Sequence, residues 1–293
     1  MRKQIATIVV VVAAFGLAAG LMGLQAANTD PAEAVKELNA LRAKTLQEAR
    51  ESGTRVNLAA LNQEIETKAQ EYCKGVDATK VQPKQGLAWA QLFVLAKMQQ
   101  SACDAALRYL TLDGTAKERF EAQMIVLDSC RLLDETEMLF STIKEAAPGD
   151  KMDARNLGLQ TAYYYADQIA KENGVHTALV VLADVEARIP YDEFTTESER
   201  PLAIGVKYAI VSKRADLLMR LGQKEDALGV IEALRSQLPE GHATIRRLNS
   251  LATQLEQIGE TAPALHVERS HGKFRSLDAW KGRVILIDFF AHW

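Results

Sequence analysis

The stretch Val211–Gly241, VSKRADLLMRLGQKEDALGVIEALRSQLPEG, decides the fold of most of this chain. Apolar or small residues recur in it at 4-3-4 spacing and are followed by a proline, at Ala227, Ile231, Leu234, Leu238 and Pro239. Positions three and four residues apart lie on the same face of an α-helix. The stretch is therefore predicted to contain an amphipathic helix that is closed by proline.

The same pattern occurs twice more, upstream of this stretch. Its members there are Thr136, Phe140, Ile143 and Ala147 before Pro148, and Ala178, Leu182, Val185 and Ile189 before Pro190. The pattern resembles the second helix of tetratricopeptide repeats, in which a small residue packs against the neighbouring helix and proline ends the unit. The proline-to-proline spacings of 42 and 49 residues exceed the usual tetratricopeptide period. We therefore expect degenerate helical-hairpin repeats, with the insert Tyr191–Glu199 as an exposed loop and a hinge or proteolysis site.

Residues 30–258 contain helix signals and almost no strand signals. Asp30 or Thr29 can cap a first helix, Pro31 suits its first position, and Gly53 ends it. A second helix carries Leu58, Leu61, Ile65, Ala69 and Tyr72 on one face. Thr115 and Glu118 have the spacing of a capping box. The sequence predicts a mainly α protein whose residues 30–258 form a helical-hairpin, tetratricopeptide-like solenoid.

The C-terminal segment Gly259–Trp293 has a different character. Its run Val284–Phe290 is apolar, β-branched and aromatic apart from Asp288, which is typical of a strand buried on both faces. It follows a Gly-x-x-x-Pro entry ending at Pro263, a Gly at position 272 and the pair Lys281-Gly282. This order of elements resembles the start of the thioredoxin-like domain of the TlpA/ResA family of exported thiol-disulfide oxidoreductases, within the redoxin superfamily.

The resemblance implies that residues 259–293 are the truncated start of a thioredoxin-like α/β domain. In that family a Cys-x-x-Cys follows the strand directly, and here it would begin after Trp293. The chain as given is therefore expected to be an inactive fragment with no catalytic residue, no cofactor and no metal. Pro263 and Gly272 would shape the entry and hairpin, Lys281-Gly282 the turn into the strand, and Trp293 would flank the active site of the full-length product.

Two other interpretations of the chain stay open. A peroxiredoxin-like domain shares the Ala-Pro entry and the first strand, although the Ala291-His292-Trp293 ending favours the reductase type. A non-catalytic, exported helical-repeat interaction protein is the rival from a different class.

The N-terminus has the pattern of an export signal. Arg2 and Lys3 precede an apolar run from Ile5 to Leu24, and small residues follow at Ala26-Ala27. The run is long enough to serve instead as a membrane anchor. Residues 1–27 are therefore predicted to be a signal peptide or N-terminal anchor, and the protein is expected in the bacterial periplasm or cell envelope.

The expected partners follow from this location and from the resemblance. They are exported proteins with thiols or disulfides, a membrane-bound electron donor, and a further protein bound by the helical domain. A formal net charge of −3 does not favour nucleic acid.

Four further sets of residues attract interest. Cys73, Cys103 and Cys130 could include one disulfide in an oxidising compartment, or could all be buried free thiols. Tyr163-Tyr164-Tyr165 cannot all face one core from a single helix, so at least one ring is predicted to be exposed or at an interface. Arg246-Arg247 is expected on a solvated face. His176 and His242 have no partner spacing and receive no role.

Overall fold

The computed structural model describes residues 30–261, 280 and 282–285. Over these residues the protein is mainly helical, as predicted, and contains no strand. The N-terminal segment 1–27 lies outside the described residues, as do Pro263, Gly272, Lys281, Trp293 and most of the predicted strand Val284–Phe290.

The helices of the described residues follow one another with short connections. They are α1 (Pro31–Ser52), α2 (Leu58–Cys73), α3 (Gly86–Leu95), α4 (Gln99–Leu110), α5 (Ala116–Leu133), α6 (Thr136–Glu145), α7 (Lys151–Gln160), α8 (Ala166–Asn173), α9 (Val175–Ala187), α10 (Arg200–Arg220), α11 (Lys224–Arg235) and α12 (Ala243–Gln257). Short 3-10 turns occur at Ala78–Lys80, Pro83–Gln85 and Tyr191–Glu193, and a π-helical turn, Thr161–Tyr165, joins α7 to α8.

The predicted helix ends are confirmed by their hydrogen bonds. The Asp30 carboxylate accepts a bond from the Ala32 N–H at 2.9 Å, and α1 closes at Gly53 in the left-handed region, with φ of 67°. At the start of α5 the Thr115 hydroxyl accepts from the Glu118 N–H, while the Glu118 carboxylate accepts from the Thr115 N–H. Both bonds satisfy backbone groups that a helix start would otherwise leave without a partner.

Most helices pack against the next one along the chain and, in several cases, against the next but one. Contacts of the second kind join α1 to α3, α3 to α5, and α10 to α12, and α10 also packs against α7. The buried side chains form one large core from Ala34 to Leu217 and a smaller one from Val211 to Leu255. α10 contributes to both cores and so connects them.

Two of the three proline-terminated helices bury the predicted face. The side chains of Ala178, Leu182, Val185 and Ile189 are buried, as are those of Ala227, Ile231 and Leu234. At the first of the three, Thr136 and Ile143 are buried as predicted and Phe140 is half-buried, but Ala147 is exposed. The reason is that α6 ends at Glu145, so Ala147 no longer follows the helical period. Leu58, predicted on the buried face of α2, is also exposed.

The insert Tyr191–Glu199 is mainly exposed, as its sequence predicts, but it is anchored to the core. Phe194 is only 4% exposed and belongs to the large core. The Lys151 ammonium donates to the Glu193 carbonyl at 2.9 Å and pairs with the Glu199 carboxylate at 2.7 Å. An aromatic anchor and a half-buried lysine therefore hold the insert against α7, although several of its polar side chains are exposed.

Candidate functional site

The most distinctive local structure is the π-helical turn Thr161–Tyr165. Here the Ala166 N–H donates to the Thr161 carbonyl, five residues earlier, in place of the usual four. The extra residue turns the following side chains out of the α-helical register. Turns of this type occur as single insertions in α-helices and are frequent at functional sites.

The turn sends the three consecutive tyrosines in different directions. Tyr165 is fully buried, and its hydroxyl donates to the Asp128 carboxylate at 2.9 Å. Burial raises the pKa of Tyr165 well above its ordinary value, and the nearby Asp128 charge adds to this effect. Tyr163 and Tyr164 are 57% and 50% exposed. The prediction that at least one ring is exposed is therefore confirmed.

The two exposed rings form a small amphipathic surface together with Arg131. Their centroids are 6.3 Å apart in an edge-to-face arrangement, and the Arg131 guanidinium carbon lies 5.1 Å from the Tyr164 centroid. The Arg131 Nε lies 3.8 Å from the Asp128 carboxylate and has no hydrogen-bond partner. Tyr163, Tyr164 and Arg131 are called the tyrosine surface below. Tyrosine and arginine side chains are enriched among the residues that contribute most of the binding energy at protein–protein interfaces.

A shallow groove of about 260 Å³ has part of its lining on α5, the helix that carries Arg131. It runs between α1, α3 and α5, and its apolar lining includes Val35, Val94 and Ile125. Ile125 of the groove and Arg131 of the tyrosine surface are both on α5, six residues apart. The arrangement offers apolar contacts and hydrogen-bonding groups on helices of successive hairpins.

The three cysteines are all buried free thiols. Cys73 lies on α2, and burial raises the pKa of its thiol to about 12. Cys103 lies on α4 and Cys130 on α5, and the Cys103 Sγ lies 3.9 Å from the Met138 Sδ.

The histidines and arginines singled out from sequence have modest structural roles. His242 caps α12 by accepting a bond from the Thr244 N–H at 3.2 Å through its Nδ1, a role that the sequence reasoning missed. The sequence did contain a signal for this cap, because a polar residue directly before a helical pattern is typical of a helix start. Arg246 and Arg247 are exposed, as predicted. No group of His, Cys, Asp and Glu in the described part of the chain has the arrangement of a metal site.

Of the thioredoxin-like segment, the structure describes only a few residues. Gly282 adopts φ of 80°, in the left-handed region that favours glycine, and the Arg283 guanidinium lies 5.6 Å from the Trp280 ring centroid. Val284 and Ile285 are exposed. These residues neither support nor contradict the thioredoxin-like prediction.

Comparison of the chain with protein-family models, with characterised proteins and with solved structures found no match. Among the helices that the structure describes, none combines the length and apolar character needed to cross a bilayer.

Proposed function

We propose that the helical domain is a protein-binding scaffold that holds an extended segment of an exported client polypeptide against the tyrosine surface. The observation that carries this proposal is the half-exposure of Tyr163 and Tyr164 on a π-helical turn. The two rings lie side by side at the surface, whereas the third ring, Tyr165, fills the core. Exposed apolar groups of this kind, when they cluster, mark interaction sites.

The tyrosine surface suits an unfolded polypeptide more than a folded partner. Its rings offer apolar faces to side chains, and their hydroxyls and the Arg131 guanidinium can hydrogen-bond to the carbonyl groups of an extended chain. Stacked helical hairpins commonly use an extended surface of this type.

The choice of client comes from the sequence of residues 259–293. Their resemblance to the TlpA/ResA family supports a full-length product that is an exported thiol-disulfide oxidoreductase, in which the helical domain presents cysteine-bearing clients to the redox domain. This part of the proposal is tested by reading the coding sequence downstream of Trp293. A Cys-x-x-Cys codon pattern followed by about a hundred further codons supports it, whereas a stop codon leaves a non-catalytic interaction protein.

Binding is tested with the full chain and an unfolded probe, reduced and carboxymethylated α-lactalbumin, by fluorescence anisotropy. The double variant Tyr163→Ala/Tyr164→Ala is expected to weaken binding about tenfold or more, because removal of central aromatic contacts has large effects. The double variant to Phe keeps the rings and should retain most of the affinity.

Val180→Ala is the matched control, because Val180 is a 60% exposed apolar residue on α9. It should bind like the wild type, and all variants should keep the wild-type melting temperature. Equal affinity of the Tyr→Ala double variant and the wild type would refute the proposed surface.

A further inference from the structure

A cavity of about 350 Å³ lies where α9, α10 and α11 meet the insert Tyr191–Glu199. Val211 of α10 and Leu234 of α11 contribute buried apolar side chains to its lining, 7% and 4% exposed. Tyr191 of the insert and Ala233, an exposed residue of α11, also line it. The tyrosine surface contributes nothing to this lining, so the proposed function does not account for the cavity.

The charged side chains of the lining leave one positive charge uncompensated. Arg214 of α10 and Glu186 of α9 form an ion pair, with 3.0 Å between the Arg214 Nη1 and the Glu186 Oε2. Lys207, also on α10, is half-buried and pairs with no carboxylate in the described part of the chain. The lining therefore has two cations and one carboxylate, which gives it a net charge of +1.

Two neutral groups hold the Lys207 ammonium in place. The ammonium lies 4.5 Å from the centroid of the Tyr191 ring, and it donates a long hydrogen bond of 3.4 Å to the Gln237 Oε1. A cation at this distance is attracted by the face of the ring. An ammonium has three N–H donors, so Lys207 can still donate to an anion that enters the cavity. An anion there would also offset the cost of holding a charge partly out of water.

We propose that this cavity binds a small monocarboxylate that carries an apolar group, with its carboxylate paired to Lys207. One carboxylate neutralises the lining, whereas a cation or a dianion would leave a net charge in the cavity. The apolar group is removed from water against Val211 and Leu234. Small-molecule sites of about 300–1,000 Å³ typically combine apolar walls with a few polar groups that fix the orientation of the ligand.

A carboxylate beside an apolar group occurs both in free carboxylic acids and at the C-terminal residue of a polypeptide. The free acid is favoured because Lys207 and the apolar side chains line one cavity of about 350 Å³, which is sufficient for a single small molecule.

The test measures binding of hydrocinnamate, a phenyl-substituted propionate, to the full chain by isothermal titration calorimetry. Hydrocinnamide has nearly the same shape but no charge, and it should bind at least about tenfold more weakly, because it cannot form the charged hydrogen bond with Lys207. An acetylated tripeptide that ends in phenylalanine with a free carboxylate represents the polypeptide source. It should bind more weakly than hydrocinnamate.

The variants test the charge and the cavity separately. Lys207→Met should weaken hydrocinnamate binding about tenfold or more, and Lys207→Arg should retain most of the affinity. Ala233→Phe places a large side chain in the cavity and should also weaken binding, with no loss of melting temperature because Ala233 is exposed. Lys84→Met is the matched control, since Lys84 is an exposed lysine outside the cavity, and it should bind like the wild type.

Equal affinity of the wild type for hydrocinnamate and hydrocinnamide, or no measurable binding of hydrocinnamate at millimolar concentration, would overturn the proposed site. Unchanged affinity in both Lys207→Met and Ala233→Phe would do the same. Tighter binding of the tripeptide than of hydrocinnamate would overturn the assignment to a free acid. The Tyr163→Ala/Tyr164→Ala variant should bind hydrocinnamate like the wild type, because neither tyrosine lines the cavity. Failure of this proposal is therefore distinguishable from failure of the proposed client binding.

Discussion

Replacement of Gly86 by alanine is the sharpest test of how closely α3 and α4 pack. Gly86 is the first residue of α3 and is buried. Its backbone dihedral angles are those of an ordinary right-handed helix. A Cβ atom at this position would lie 2.7 Å from the Ala105 carbonyl oxygen and 3.0 Å from the Tyr109 nitrogen. Both atoms belong to the backbone of α4, so no side-chain rotation can relieve the contact.

The expected free-energy change has two opposing parts. Ordinary contacts begin near 3.4 Å, so the carbonyl and the new methyl group must separate by about 0.7 Å, which requires α3 to move relative to α4. Overpacking of this kind costs roughly 1–3 kcal/mol, and a rigid backbone contact belongs in the upper half of that range. Alanine recovers at most about 1 kcal/mol through its higher helix propensity. Gly86→Ala should therefore destabilise the protein by about 1–3 kcal/mol.

The change is measured by urea unfolding followed by circular dichroism. Gly229→Ala is the matched control: Gly229 lies within α11, is exposed, and a Cβ there would meet nothing within 4 Å. Alanine has a higher helix propensity than glycine, and at this position no close contact opposes the gain. The free energy of unfolding of the control should therefore be about 0.5–1 kcal/mol higher than that of the wild type. If the midpoint urea concentration of Gly86→Ala were equal to that of the wild type or higher, the inference that α3 and α4 approach closely at Gly86 would be refuted.

Three other predictions concern stability. Phe194→Ala should lower the free energy of unfolding, measured by heat or urea, by about 3–4 kcal/mol, because a buried ring is lost. The variant should also be cleaved within Tyr191–Glu199 under limited proteolysis. A variant as resistant to the protease as the wild type would contradict the anchoring role of Phe194. Thr115→Ala should lower stability by about 1 kcal/mol through loss of the capping box, and Thr115→Ser should not. Burial alone would raise the pKa of Asp167, but the bonds and charges of Lys213 and Arg220 outweigh it and hold that pKa below its ordinary value. The stability from this carboxylate is present at neutral pH and is lost as the pH falls below about 4, so unfolding curves of Asp167→Asn should depend less on pH there than those of the wild type.

Several features of the candidate site could be predicted from the sequence, but not their arrangement. The run of three tyrosines on a helix is enough to require an exposed ring, because consecutive positions point about 100° apart. The run of tyrosines does not predict that a π-helical turn exposes Tyr163 and Tyr164 while Tyr165 reaches Asp128 on α5. That outcome depends on how α7 and α8 fit their neighbours, which no local pattern records.

The sequence by itself determined the helical class and many helix boundaries of the described residues. Those features depend on interactions between residues no more than four positions apart, such as the cap at Asp30 and the reciprocal bonds of Thr115 and Glu118. Only the tertiary structure decided that the Cys103 Sγ lies beside the Met138 Sδ, that Phe194 is an anchor, and that α3 requires a glycine where it meets α4. Each of these depends on side chains from separate elements, and their contact is set by the packing of whole helices and not by spacing along the chain.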